Sequence, residues 1–407
     1  MDNASQKGGI RRGLILSFGA LMMIFNGLIY AWSIFVAPLE SAFGWNRGQT
    51  SLVFTLSMSV SILGQIAGGH GASRGRQGPM LRVAAVLLTL GFIWASAINS
   101  LPPLYVSYGI LCGFAVGISY NTVISTVLSH FPERTGFASG ILLMAFGLGS
   151  LVLGSATTSL ILHYGWRTAF RALAVGFGAV TFAGSLIVVP ADRKVKEEGS
   201  SADPGPRDMI REGPYAKFFI WAVLMSSTGL LILGHAAPYA ADLGASVELA
   251  ALSAGFISIF NGISRLIFGH LYDRRGHVTA MFLTCTLYII ATAGLVAAYF
   301  IGSLWILFPS YAVLGLAYGG GPVTVSTYIK ERYGDGHYGV NLGITNLNIV
   351  VASFIGPLLA GMLRSTWQSY LPAFVLMFMF VSVAFALVPH RRDNIADTRS
   401  VDDFVKN

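Results

Sequence analysis

One arginine stands where arginine is costly. The run Ser258-Ile259-Phe260-Asn261-Gly262-Ile263-Ser264-Arg265-Leu266-Ile267-Phe268-Gly269 is largely apolar on both sides of Arg265. An arginine near the centre of a membrane-spanning helix costs about 2.5–3.5 kcal/mol on insertion scales. The 18 acidic residues all fall in loops, tails or the ends of apolar runs, with Glu40 and Asp242 the closest to a run's interior. A guanidinium stays protonated throughout the physiological range and grips a carboxylate through two parallel, charge-assisted hydrogen bonds. The chemistry predicted for Arg265 is reception of an anionic ligand. The alternative is that it snorkels toward water or binds backbone carbonyls.

Further polar groups fall in apolar runs. Asn261 precedes Arg265 by four residues, which puts both on one helix face. His235, Tyr120, Asn121, Asn26, Tyr30, Tyr318, Asn341, Asn346 and Asn348 could line the same cavity, and Leu28 is a plausible apolar wall. Each can equally be read as a packing residue satisfied inside a helix bundle. No constellation suits an enzyme: there is no Walker-type phosphate loop, and no His, Cys and acid cluster has metal-ligand spacing. No cofactor is expected. Cys112 and Cys285 both lie in apolar runs and offer neither a disulfide framework nor a metal site.

The elements that carry these residues are long and greasy. Of 407 residues, 54% are hydrophobic and only 11% charged, and the mean hydropathy is +0.66. A soluble chain carries roughly 25% charged residues, so most of this surface is expected to face a bilayer. The net charge of +8 comes from basic residues clustered in short loops, which membrane topology explains better than nucleic-acid binding. A spanning helix needs about 20 apolar residues. Such runs fall, within a few residues, at 13–39, 49–70, 80–99, 104–129, 136–161 and 167–190 (spans 1 to 6), and at 215–241, 248–271, 278–300, 304–330, 337–362 and 368–388 (spans 7 to 12). The first is too long for a signal-peptide core and reads as a retained helix.

The expected class is an all-α membrane protein of twelve transmembrane helices in two six-helix halves. Residues 1–191 form the first half and 215–390 the second. A solvated linker, 192–214, joins them, and 391–407 is a polar tail. The linker carries Arg193, Lys194, Lys196, Glu197, Glu198, Pro204 and Pro206. Lys7, Arg11, Arg12, Arg74, Arg76, Arg82, Arg134, Arg274, Arg275, Lys330, Arg332, Arg391 and Arg392 fall on the linker's side, against Arg47, Arg167, Arg171 and Arg364 opposite. Positive charge marks the cytoplasmic face, so both termini are expected there, in the cell membrane. Trp45, Trp166, Trp305 and Trp367 fall near the predicted outer ends.

The halves repeat. His70, Ser73 and Arg74 after span 2 correspond to His270, Asp273 and Arg274 after span 8, at an offset of 200. Gly113-x3-Gly117 in span 4 matches Gly315-x3-Gly319 in span 10, at an offset of 202. The loop Gly269-His270-Leu271-Tyr272-Asp273-Arg274-Arg275-Gly276 resembles the short basic G-x-x-x-D-R-x-G loop of the major facilitator superfamily. That resemblance implies parallel six-helix repeats with a substrate site near the midplane between them. It also implies a cytoplasmic gate in which Asp273, with Arg274 and Arg74 beside it, pairs with arginines on neighbouring helix ends. Ordinary positive-inside charge is the competing explanation.

Tyr30-Ala31-Trp32-Ser33-Ile34-Phe35-Val36-Ala37-Pro38-Leu39, then Phe43-Gly44-Trp45, is similar to the bacterial oxalate–formate antiporter family. Phe260-Asn261-Gly262-x-x-Arg265, leading to Gly269 and Asp273-Arg274, resembles both that family and the monocarboxylate transporters. The resemblance implies a carrier of lactate- or pyruvate-like acids in which Arg265 holds the carboxylate and Asn261, Tyr120, His235, Leu28 and Tyr318 line its site. Two departures matter. Where the antiporters place a lysine in span 11, this chain has Thr345 or Asn346, and one buried cation matches one carboxylate better than two. Where animal monocarboxylate transporters carry an aspartate four residues before the arginine, this chain has Asn261. Proton coupling would then fall to His235 or Asp242, since histidine titrates near physiological pH. The expected function is proton-coupled symport of a monocarboxylate by a monomer. Exchange without a proton is the first alternative. A carboxylate sensor is the second, and it would need an output domain or a long tail.

Overall fold

The computed structural model describes residues 2–45, 47–189, 203–233 and 235–389. The linker through residue 202, with Arg193, Lys194, Lys196, Glu197 and Glu198, and the tail with Arg391 and Arg392 lie outside the described residues, as do the side chains of Lys7, Tyr30 and Arg47.

Helices account for the regular structure among the described residues, and they fall into twelve apolar segments. Span 1 is Asp2–Gly27, a tight turn at Leu28–Ala31 and Ser33–Phe43. Spans 2, 3 and 4 are Arg47–Ser73, Gln77–Ser96 and Leu101–Leu128. Spans 5 and 6 run through Thr135–Ile187 and are separated at Gly165. Span 7 comprises Gly213–Leu233 and Ala236–Asp242, while spans 8 and 9 run through Val247–Ile301 and are separated at Gly276. Span 10 is Leu304–Tyr333, span 11 is Tyr338–Thr345 with Leu347–Trp367, and span 12 is Leu371–Ala386.

The repeat seen in sequence has a backbone counterpart. Gly75, after span 2, has φ +72°, and Gly276, after span 8, has φ +74°. A left-handed residue ends each of these helices, and glycine takes that conformation without a Cβ penalty.

The chain divides into two compact units: Met1–Ile210 with Ser326–Val350, and Arg211–Val325 with Val351–Asn407. The end of span 10 and the first part of span 11 therefore pack with the first unit. Its core includes Trp32, Phe35, Phe92, Tyr108, Phe170 and Phe177. Phe35 stacks on Phe170 at 4.2 Å, and the Trp32 indole donates to the Thr50 carbonyl at 2.9 Å. In the second unit the buried phenols of Tyr239, Tyr288 and Tyr311 donate to the carbonyls of Leu295, Met225 and Ala236 at 2.8, 3.0 and 2.7 Å. A buried tyrosine needs such a partner for its hydroxyl. Leu90, Val175, Phe300 and Phe378, among others, point outward. An apolar exterior of this extent is a bilayer-facing surface, and only a helix or closed barrel satisfies its backbone there.

The described part of the linker is more ordered than its composition suggests. Pro206–Arg211 is a short helix with Met209 buried. The Asp203 carboxylate accepts from the Gly336 N–H at 2.9 Å, and the Pro204 carbonyl accepts from Asn341 at 3.2 Å. Polar residues that look solvated in sequence here serve the backbone between spans 10 and 11.

Candidate functional site

In the second unit the site is built on spans 8 and 10. Arg265 is 8% exposed, and its Nε donates to the Asn261 side-chain oxygen at 3.3 Å. The four-residue spacing puts the two on one helix face, and the contact orients the guanidinium plane. Asn261 is in turn fixed by span 10. A Cβ on Gly319 would collide with the Asn261 carbonyl and lie 2.9 Å from its side-chain oxygen, so only glycine lets the two helices meet there. Ser264, one turn along, donates to the Leu316 carbonyl. Tyr318 is half-buried, its ring lying against Gly229 of span 7.

Arg265 is one of two cations buried among the described residues, and the other, Lys330, is 9% exposed. Lys330 forms an ion pair with Asp335 and sits 4.9 Å from the Tyr338 ring centre. Its charge is already matched by a carboxylate at a helix end. Arg265 lies mid-span, where Leu249 through Tyr272 contain no acidic residue.

His235 and Asp242 belong to a separate cluster in the same unit. His235 sits at the break in span 7, and its Nδ1 shares a hydrogen bond of 3.3 Å with the Tyr370 hydroxyl. The Arg364 guanidinium lies 5.3 Å from the Tyr370 ring centre and pairs with Asp242 at 2.9 Å. The two candidate proton carriers are thus joined through Tyr370 and Arg364, neither of which sequence reasoning tied to them. A cavity of about 560 Å³ lies at the Asp242 end of this cluster, lined in part by Tyr239, Asp242, Tyr299, Arg364 and Tyr370. Sequence reading took His235 as the most central neutral base, and its hydrogen bond with Tyr370 lies within this cluster.

In the first unit, Leu28 is 2% exposed within the tight turn of span 1 and packs into the core. Tyr120 is half-buried and meets Phe146 edge-on at 5.0 Å. Asn26 donates to the Ser119 hydroxyl at 3.0 Å. Asn121 uses its amide nitrogen twice, on the carbonyls of Gln65 and Gly339 at 2.7 and 2.5 Å. Asn346 donates to the Gln65 side-chain oxygen at 2.7 Å. Gln65 was not singled out in sequence, although the offset of 200 leads from Arg265 to it. Asp273, Arg274 and Arg74, the gate candidates, are exposed at helix ends.

Known proteins agree with this frame. The chain is 25% identical over 301 residues to the oxalate:formate antiporter of Oxalobacter formigenes, spanning 72% of this chain and 68% of that protein. It is 25% identical over 381 residues to monocarboxylate transporter 12 of Mus musculus, spanning 84% and 77%. Among solved structures, the transporter FucP in the outward conformation matches with TM-score 0.73 at 14% identity, over 93% of this chain and 98% of that one. The proton:xylose symporter XylE matches with TM-score 0.66 at 15% identity, over 93% and 94%. At such identities the structural matches speak for the fold alone. The profile of the Major Facilitator Superfamily matches residues 16–357, and with a repeated helical architecture and a buried mid-span cation already in place, the chain belongs to that superfamily of multi-pass membrane transporters.

Proposed function

We propose that this transporter carries small monocarboxylates of the lactate and pyruvate type, in symport with a proton, by alternating access. The observation that carries the reading is Arg265, a permanent cation buried mid-span and oriented by Asn261. One buried cation suits one carboxylate, because a second anionic group would be desolvated without a partner. The names of the relatives, an oxalate:formate antiporter and monocarboxylate transporters, point to small carboxylates, and the second name to monocarboxylates. Tyr120, Tyr318 and Leu28 remain candidates for the substrate's surroundings, with Asp273, Arg274 and Arg74 as the cytoplasmic gate. The proposed setting is the cell membrane, with both termini in the cytoplasm and a functional monomer.

Proton coupling is assigned to His235, with Asp242 as the competing residue. A neutral imidazole gains a proton and an anion together if binding of each favours the other. Anion exchange without a proton is the second reading, and Asn261 in place of a titratable carboxylate favours it. Lactate uptake into proteoliposomes, with and without an imposed pH gradient, separates the two. Symport predicts accumulation driven by an inward proton gradient. Exchange predicts uptake that depends on a counter-anion inside and ignores the gradient.

A further inference from the structure

The linker is fastened at both of its described ends, and both fastenings lie in the first unit. At its start, the Val189 carbonyl accepts from the buried His130 ring at 2.8 Å, just beyond span 4. At its far end, residues 203–205 lie on the turn between spans 10 and 11. The Asp203 carboxylate accepts from the Gly336 N–H at 2.9 Å. It also packs directly on Gly334, where a Cβ would lie 2.6 Å from the carboxyl group. The Pro204 carbonyl accepts from the Asn341 amide at 3.2 Å. The Gly205 N–H donates to Asp208 at 3.3 Å, opening the short helix that buries Met209. A carboxylate bound to a backbone N–H is about twice as strong an acceptor as a neutral oxygen.

The linker grips the very segment that meets spans 2, 4 and 5. Gly336 and Asn341 flank Gly339, and Gly339 is where span 11 touches span 2. A Cβ on Gly69 would collide with the Gly339 backbone, and one on Gly339 with that of Gly69. Asn121 of span 4 donates to the Gly339 carbonyl at 2.5 Å. Tyr338 donates to the Ser326 carbonyl at 3.3 Å, which ties the turn to span 10, and the Ser326 and Ser139 hydroxyls join span 10 to span 5. Both serines are buried. Two facing glycines approach closely but interdigitate no side chains. Their contact therefore depends on what fixes the turn on either side of it.

We propose that the linker is a strap that holds the linker-side ends of spans 10 and 11 on spans 2, 4 and 5, with Asp203 as its latch. A carrier that works by alternating access must break this contact to open its linker side. A charge-assisted bond that fixes the turn in its closed shape biases the population toward closure. Fastened beside span 4 at one end and on the turn at the other, the linker also makes re-closure a tethered event. The strap rests on alternating access and on no choice of substrate.

The test places a thiol on each side of the closed contact, Ser326→Cys on span 10 and Ser139→Cys on span 5, in separate full-length chains in proteoliposomes. Labelling by N-ethylmaleimide is followed with and without Asp203→Ala. The two native cysteines are buried and supply the background. Both introduced thiols should label about tenfold faster once Asp203 is replaced, the scale of one hydrogen bond to a charged group. Asp203→Asn keeps an acceptor oxygen without the charge; its rates should fall between, and it supplies the answer if the alanine variant fails to accumulate. Equal labelling with and without Asp203 would overturn the strap. Faster labelling at position 326 alone would overturn it as well, since Asp203 would then merely order the turn without holding span 10 on span 5. Neither result bears on the transported acid, which the uptake measurements decide separately.

Discussion

A guanidinium and an ammonium carry the same charge, but only the first is a planar fork. The account therefore predicts that Arg265→Lys retains less than about a tenth of wild-type lactate kcat/KM, because a point charge replaces a bidentate clamp. Recovery to within twofold of wild type would show that charge alone suffices. Substrate valence follows from the same residue. Lactate should bind more tightly than oxalate in a direct binding assay, since span 11 offers Thr345 and Asn346 where a second cation would be needed. Tighter oxalate binding would contradict this. Arg265 and Asn261 were legible in sequence because a charge in an apolar run is conspicuous and a four-residue spacing fixes the shared face. Gln65 was not, because an uncharged amide among serines and glycines attracts no notice until packing shows its oxygen held by Asn346.

Helix contacts decide whether those side chains stay aimed. Gly319→Ala would drive a methyl into the Asn261 backbone, and overpacking of this kind costs about 1–3 kcal/mol. Its expected signature is a raised KM for lactate together with lowered thermal stability of the purified protein. Gly321→Ala, two residues along the same helix, meets nothing within 4 Å and should leave both unchanged. Equal behaviour of the two variants would remove the Gly319 contact from the account. The twelve apolar runs could be read to within a few residues, because the bilayer demands long uninterrupted hydrophobicity. The breaks inside them could not. The turn at Leu28–Ala31, which follows Gly27, and the interruption at Asn346 sit inside runs apolar enough to read as unbroken spans. The break in span 7 sets His235 against Tyr370, a pairing between residues 135 apart that local pattern cannot reveal. His235→Ala is expected to flatten the dependence of lactate uptake on external pH between about 5 and 8 more than it weakens uptake at low pH. An unchanged pH profile would transfer the coupling role to Asp242 or dismiss it.

At the scale of the whole molecule, the family assignment rests on two repeats of six spans and a profile match covering most of the chain. Division by contact does not follow the repeat boundary, because Ser326–Val350 packs with the first unit. Sequence symmetry reports common construction, whereas packing reports one conformation, so the two need not coincide. A carrier that alternates between conformations must hold its anion in each through groups that stay with the helix, and Arg265 on span 8 is that group in this account. The most direct test is lactate uptake by proteoliposomes containing wild type or Arg265→Ala at matched protein incorporation. The account predicts uptake by wild type and none above protein-free liposomes for the alanine variant, with the variant still folded in the membrane. Uptake by Arg265→Ala at the wild-type rate would contradict it.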